Sequence, residues 1–206
     1  MSIGILDIGI GNIGSLKQAL IVQGWDPVTV KTKHEFSNLT HLIIPGVGAF
    51  NSFMSRISEV GVVEPILDFA NQGYPLLGIC LGMQILAENG TEGGYSRGLG
   101  LIAGQIKLLT ALHDVRVPHV GWNESVQKQQ HPLFVDIRAD VDFYFVHSYK
   151  FITRNPKDVF AETFHGELFP SIVGKNNIVG VQFHPEKSQA NGLKLLDNFC
   201  LWNGVC

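Results

Sequence analysis

The chain is short of charge and of cysteine. Only 16% of its 206 residues are charged, against about 25% in an average globular domain. No basic block stands out, and 15 basic against 18 acidic residues give a net charge of −3. Nucleic-acid binding by neutralisation of phosphates is therefore not expected. The three cysteines, Cys80, Cys200 and Cys206, are odd in number and irregular in spacing, which excludes a disulfide framework and fits a reducing compartment. No apolar run approaches the roughly 18 residues of a membrane-spanning helix. The start, Met1-Ser2-Ile3-Gly4-Ile5, lacks the basic stretch and long apolar segment of a secretory leader. A cytoplasmic protein with no membrane association is expected. The histidines lack metal-ligand spacing: neither His113 with His119 nor His131 with His147 forms a specific pattern, so neither metal nor cofactor is expected. His41 and His165 show no special role, Cys200 reads as core, and Cys206 as a mobile terminal residue.

What is present in excess is glycine, 23 residues where a share of about 7% is usual, beside an apolar content of 45%. The first half alternates strand and helix signals. Short apolar runs at Ile3–Asp7, Val28–Val30, Leu42–Ile44 and Leu76–Ile79 predict buried strands. Helical spacing predicts helices over Ser15–Gln23 and Val62–Asn71, each stopping at a glycine, and over Met83–Glu88. This order predicts an α/β fold with an open, mainly parallel sheet and helices on both faces. The second half offers short strands at Leu101–Leu109, Phe143–His147, Val159–Thr163, Ile172–Gly174 and Ile178–Gln182, several of them antiparallel additions, and a last helix over about Gly192–Trp202. Without repeats, low-complexity stretches or a linker, residues 1–206 are expected to form a single domain.

Chemistry concentrates at Gly78-Ile79-Cys80-Leu81-Gly82, a glycine-flanked nucleophile between a strand and a helix. Such an elbow projects the side chain from the carboxyl end of the sheet, where the helix dipole favours a thiolate. The competing reading of Cys80 is a small, inert core residue. His184-Pro185-Glu186 follows another strand; His184 is either a structural histidine or the base for Cys80, with Glu186 either a surface acid or the group that orients the imidazole. Pro45-Gly46-Val47-Gly48 is either a plain turn or an oxyanion hole, in which the N–H of Val47 would act with that of Leu81. A rival signal is Gly9-Ile10-Gly11-Asn12-Ile13-Gly14, which matches the dinucleotide fingerprint in strand-to-helix context. It would make the chain an NAD(P)-dependent oxidoreductase. Yet Lys31-Thr32-Lys33 stands after Val30 in place of an acid that would hold the ribose.

Together with Gly98-Leu99-Gly100-Leu101, Pro118-His119-Val120-Gly121-Trp122-Asn123, Tyr144-Phe145-Val146-His147-Ser148-Tyr149 and Gln182-Phe183-His184-Pro185-Glu186-Lys187-Ser188, these segments resemble the class I glutamine amidotransferases. Within that family they are similar to the glutaminase subunits of imidazole glycerol phosphate synthase, over essentially the whole chain. The resemblance implies hydrolysis of L-glutamine to glutamate and ammonia by Cys80, His184 and Glu186. It implies that Gly46, Gln84, Glu92, Ser148 and Tyr149 bind the substrate. It also implies a partner, a (β/α)8-barrel cyclase in a heterodimer, which receives the ammonia and forms imidazole glycerol phosphate and AICAR in histidine biosynthesis. Asn12, Trp122 and Lys187 would face that partner, with a core tryptophan as the alternative for Trp122. Gly14 departs from the family, which often has an arginine there. That departure leaves open a paralogous branch that supplies ammonia for amidination of surface-polysaccharide sugars.

Overall fold

A computed structural model describes residues 1–110 and 115–205; His113 and Cys206 lie outside them. A nine-stranded sheet joins both halves of the chain. Its parallel part takes β1 (Ile3–Leu6), β2 (Val28–Val30), β3 (His41–Gly46), β4 (Leu76–Cys80) and β13 (Ile178–Val181). Four antiparallel strands extend it: β8 (His119–Gln127), β9 (Asp140–His147), β11 (Val159–His165) and β12 (Glu167–Lys175). The order is β2-β1-β3-β4-β13-β12-β11-β8-β9. A second, four-stranded sheet holds β5 (Asn89–Gly90), β6 (Ser96–Arg97), β7 (Gly104–Leu108) and β10 (Tyr149–Thr153).

The pleat decides which helices go where. Successive residues of a strand point to opposite faces. Ile43, Leu77 and Ile79 join the core beneath α1 (Ile13–Ile21) and α5 (Gln189–Leu201), with Leu16, Leu20, Leu196 and Phe199. Their neighbours Leu42, Ile44 and Leu76 join the opposite core, beneath α2 (Phe50–Val60) and α3 (Val63–Asn71). Both faces of the parallel strands are thus covered, as their unbroken apolar runs require.

Several elements differ from the sequence expectation. Helix α2 was not anticipated, although Phe50, Phe53, Met54 and Ile57 are its buried face at helical spacing and Gly61, in the left-handed region at φ 72°, closes it. The helix expected over Met83–Glu88 is instead α4, one turn over Leu81–Gln84. The chain leaves it because Glu88 pairs with Gly104: Glu88 N–H donates to the Gly104 carbonyl and Gly104 N–H donates to Glu88 Oε2, both at 3.0 Å. Strands β8 and β10 were also not anticipated. The inward positions of β8 are polar, His119 and Ser125, and its outward positions include Val120, Trp122 and Val126. The usual hydrophobic-in alternation is inverted: inside, Ser125 Oγ lies 2.7 Å from Ser171 Oγ, and the His119 ring stacks on Phe145 at 4.7 Å.

Candidate active site

Cys80 is the last residue of β4 and has φ 55° and ψ −110°, a conformation that costs a non-glycine residue of order 1–3 kcal/mol and collects at functional sites. Crowding explains the glycines around it. A Cβ on Gly82 would lie 1.8 Å from the Ile44 carbonyl oxygen, and one on Gly78 would lie 2.4 Å from the Gly82 oxygen. The elbow is therefore pressed against β3, with Gly46 beside Cys80 in the ladder. Because α4 is a single turn, its dipole is small, and it can favour a thiolate at Cys80 less than the sequence suggested.

His184 follows β13, the strand adjacent to β4, and this brings it to the same sheet end as Cys80. Its Nδ1 is 2.9 Å from Glu186 Oε1, both side chains buried. Burial alone would lower the His184 pKa, but hydrogen bonds to Cys80 and Glu186 outweigh it and bring the imidazole up to about 10. Such a group is cationic at neutral pH, next to the cysteine sulfur. Among the described residues Glu186 Oε2 is buried without a hydrogen-bond partner, and Oε1 is the oxygen turned to His184.

A cavity of about 210 Å³ opens over Cys80 and His184, with Val47 and Leu81 on its wall. Gln84, Glu92, Ser148, Tyr149 and Lys187 also line it. Gly46 sits behind this wall, where a Cβ would lie 2.8 Å from Gly82 N. Gln84 is buried, and its Nε2 donates to the Tyr149 carbonyl and to Gln182 Oε1, both at 3.0 Å. Glu92 Oε2 accepts the Phe50 N–H at 3.1 Å, at the start of α2. Burial raises its pKa and that bond opposes the rise. Glu92 thus anchors a helix end while facing the cavity.

Of the residues expected to face a partner, Trp122 is 47% exposed on the outer side of β8, which removes the core-tryptophan alternative. It packs edge-on against Tyr144 at 5.9 Å, and Lys187 Nζ stands 6.0 Å from the same ring. Asn12 is exposed and caps α1 by accepting the Ser15 N–H at 3.4 Å. The glycine-rich loop at Gly9–Gly14 ends in this cap, beside the helix that packs on the turn Pro185–Lys187. Two neighbours of Cys80 escaped the sequence reading: Gln182, whose Nε2 lies 3.8 Å from Sγ, and the Val146 carbonyl, 3.7 Å from Sγ. Gln182 lies two residues before His184, but a buried amide has no signature in a single sequence.

The sequence model of the family "Glutamine amidotransferase class-I" matches residues 4–202. The chain is similar to "Imidazole glycerol phosphate synthase subunit HisH" of Desulfitobacterium hafniense, 41% identical over 97% of this chain and 94% of that one. It is also similar to the protein of the same name in Sulfurimonas denitrificans, 42% identical over 98% and 99%. A crystal structure titled as a glutamine amidotransferase has the same fold, with a TM-score of 0.77, 21% identity and coverage of 98% and 99%. So does the "Structure of PurLQS from Thermotoga maritima", with 0.78, 15% identity and 97% coverage of both chains. The family match over nearly the whole chain, together with these relatives and this fold, places the chain in the class I glutamine amidotransferase family, among the HisH subunits of imidazole glycerol phosphate synthase.

Proposed function

We propose that the chain is the glutaminase subunit of an imidazole glycerol phosphate synthase, and that Cys80, His184 and Glu186 carry the reaction. One observation carries this reading: Cys80, held at φ 55°, shares a single cavity with His184, whose imidazole is bound to Glu186. The Cys80 proton resides on the His184 imidazolium, and Sγ attacks the side-chain amide carbon of glutamine. The carbonyl oxygen becomes an oxyanion, which the N–H groups of Val47 and Leu81 would receive. His184 then protonates the amide nitrogen, the C–N bond breaks, and ammonia leaves a glutamyl thioester on Cys80. Water attacks the thioester with His184 as base, which releases glutamate and restores the resting Cys80–His184 pair with the proton on the imidazole. Glu186 holds the imidazole and stabilises its charged form. Gln84, Glu92 and the Ser148-Tyr149 backbone would hold the amino-acid end of glutamine.

The ammonia would pass to a (β/α)8-barrel cyclase that seats on the face with Asn12, Trp122 and Lys187, in the cytoplasm. Exposed Trp122 and its neighbour Val120, 56% exposed, supply the apolar centre that such a contact needs. The test is glutamate release from glutamine by the chain alone, then with a histidine-pathway cyclase and its phosphoribulosyl substrate. Strong activation by the pair is expected. A glutaminase that this pair leaves unchanged would instead serve the sugar-amidination branch, and no release under any condition would overturn the proposal.

A further inference from the structure

The Tyr149 carbonyl fixes the direction of one series of hydrogen bonds that ends at the nucleophile; the Val146 carbonyl, 3.7 Å from Sγ, stands outside it. A carbonyl oxygen only accepts. Gln84 therefore turns its amide nitrogen to Tyr149 at 3.0 Å, and His147 carries its proton on Nδ1, 2.8 Å from the same oxygen. His147 Nε2 is left as an acceptor, so His119 donates to it from Nδ1 at 2.9 Å. His119 Nε2 in turn accepts from Asn123 Nδ2 at 3.2 Å, an amide whose orientation is set by its other bond, to the Phe164 carbonyl at 3.0 Å. On the other side, the second N–H of Gln84 donates to Gln182 Oε1. That places the Gln182 amide nitrogen against Cys80 Sγ, at 3.8 Å. Each N–H in the series has one acceptor it can serve, and reversing Gln182 would set two amide nitrogens, both donors, against each other.

Gln182 is fully buried. A buried amide is a costly way to fill space unless both its ends are paired, and here one end is paired with a wall of the substrate cavity and the other with the nucleophile. We infer that Gln182 is a positioning residue for Cys80: its side-chain N–H holds Sγ in place and favours the sulfur's anionic form, while its carbonyl ties the nucleophile to Gln84. This rests on the glutaminase reading and extends it to a residue outside the triad.

The test compares Gln182→Met, which keeps the length but cannot donate, with Gln182→Glu, which keeps the oxygen toward Gln84 and turns a second oxygen to the sulfur. The readout is the pH dependence of Cys80 alkylation by iodoacetamide, located by mass spectrometry, on the free chain. The other ionisable groups that face the cavity, His184, His147, Tyr149, Glu92 and Lys187, are unchanged in both variants. In Gln182→Met the alkylation midpoint should rise by about half a pH unit or more, and kcat for glutamine in the cyclase complex should fall about tenfold with KM within about threefold. Gln182→Glu should shift the midpoint further. A purely structural role would lower the melting temperature and leave the alkylation profile of the folded protein in place, and that result overturns the inference. Should neither variant fold, the Gln182 side-chain amide signals of the wild-type chain decide by NMR: they should move on Cys80→Ala, and unmoved signals overturn the inference. Glutaminase activity retained by Cys80→Ala would instead remove the glutaminase reading itself.

Discussion

Gly82→Ala should be among the most damaging single-methyl additions in this chain. Its Cβ would be built 1.8 Å from the Ile44 carbonyl oxygen and 2.8 Å from the carbonyl carbon. An ordinary contact needs about 3.5 Å, so elbow and strand must separate by more than an ångström. Neither side yields easily, because β3 and β4 are paired from Leu42 opposite Leu76 to Gly46 opposite Cys80, and both lie in the centre of the sheet. Overpacking against side chains costs about 1–3 kcal/mol; against paired backbone we expect about 3–4 kcal/mol, a large part of a total stability of about 5–15 kcal/mol. Gly14→Ala is the control. Gly14 lies in α1, and nothing stands within 4 Å of its added Cβ, so the change should be neutral or stabilising by up to about 1 kcal/mol. Urea unfolding followed by circular dichroism measures both. If Gly82→Ala fell within about 1 kcal/mol of Gly14→Ala, the account of the elbow as a close backbone crossing would be wrong.

Cys80→Gly should abolish glutamine hydrolysis yet raise stability by about 1 kcal/mol in the same unfolding assay, since glycine takes φ 55° without strain. The pH dependence of stability should have an acid limb. Burial lowers the pKa of His119 to about 3 and of His131 and His147 to about 4. Between pH 4 and the unfolded value of about 6.5, the unfolded chain binds protons that the folded chain does not. Stability therefore falls as the pH drops from about 6.5 to 4, and His131→Asn, which keeps an acceptor for the Leu133 N–H, should make that limb shallower in unfolding curves taken across the range. On the alkaline side His184, raised to about 10, contributes fully below about pH 6.5 and loses its contribution as the pH climbs through 10. Trp122→Ala, at an exposed position, should change stability by less than about 1 kcal/mol and weaken cyclase binding at least tenfold by calorimetry; unchanged affinity would remove Trp122 from the docking face.

The parallel core was legible because burial on both faces leaves an apolar run with little polar interruption, as in Leu42–Ile44 and Leu76–Ile79. The elbow was legible because its glycines are demanded by contacts of neighbouring backbone. The antiparallel extension was harder to see. Strand β8 turns His119 and Ser125 inward, where their partners, His147 and Ser171, are distant in sequence. Helix α2 carried its period in Phe50, Phe53, Met54 and Ile57, but no side-chain cap marks its start at Ala49. The acceptor that serves its first turn, Glu92, arrives from 42 residues away. Gln182 stayed hidden for the same reason: its partners are Gln84 and Cys80, about a hundred residues earlier, and pairing across that distance leaves no pattern in the chain.

The account stands most directly on Cys80 as the nucleophile of glutamine hydrolysis. The measurement is product formation by the complex with the cyclase, first from glutamine and then from ammonium salt, for the wild-type chain and for Cys80→Ala. Cys80→Ala should lose glutamine-dependent turnover by at least about a thousandfold and keep the ammonia-dependent rate. Glutamine-dependent turnover that survives in Cys80→Ala would contradict the assignment.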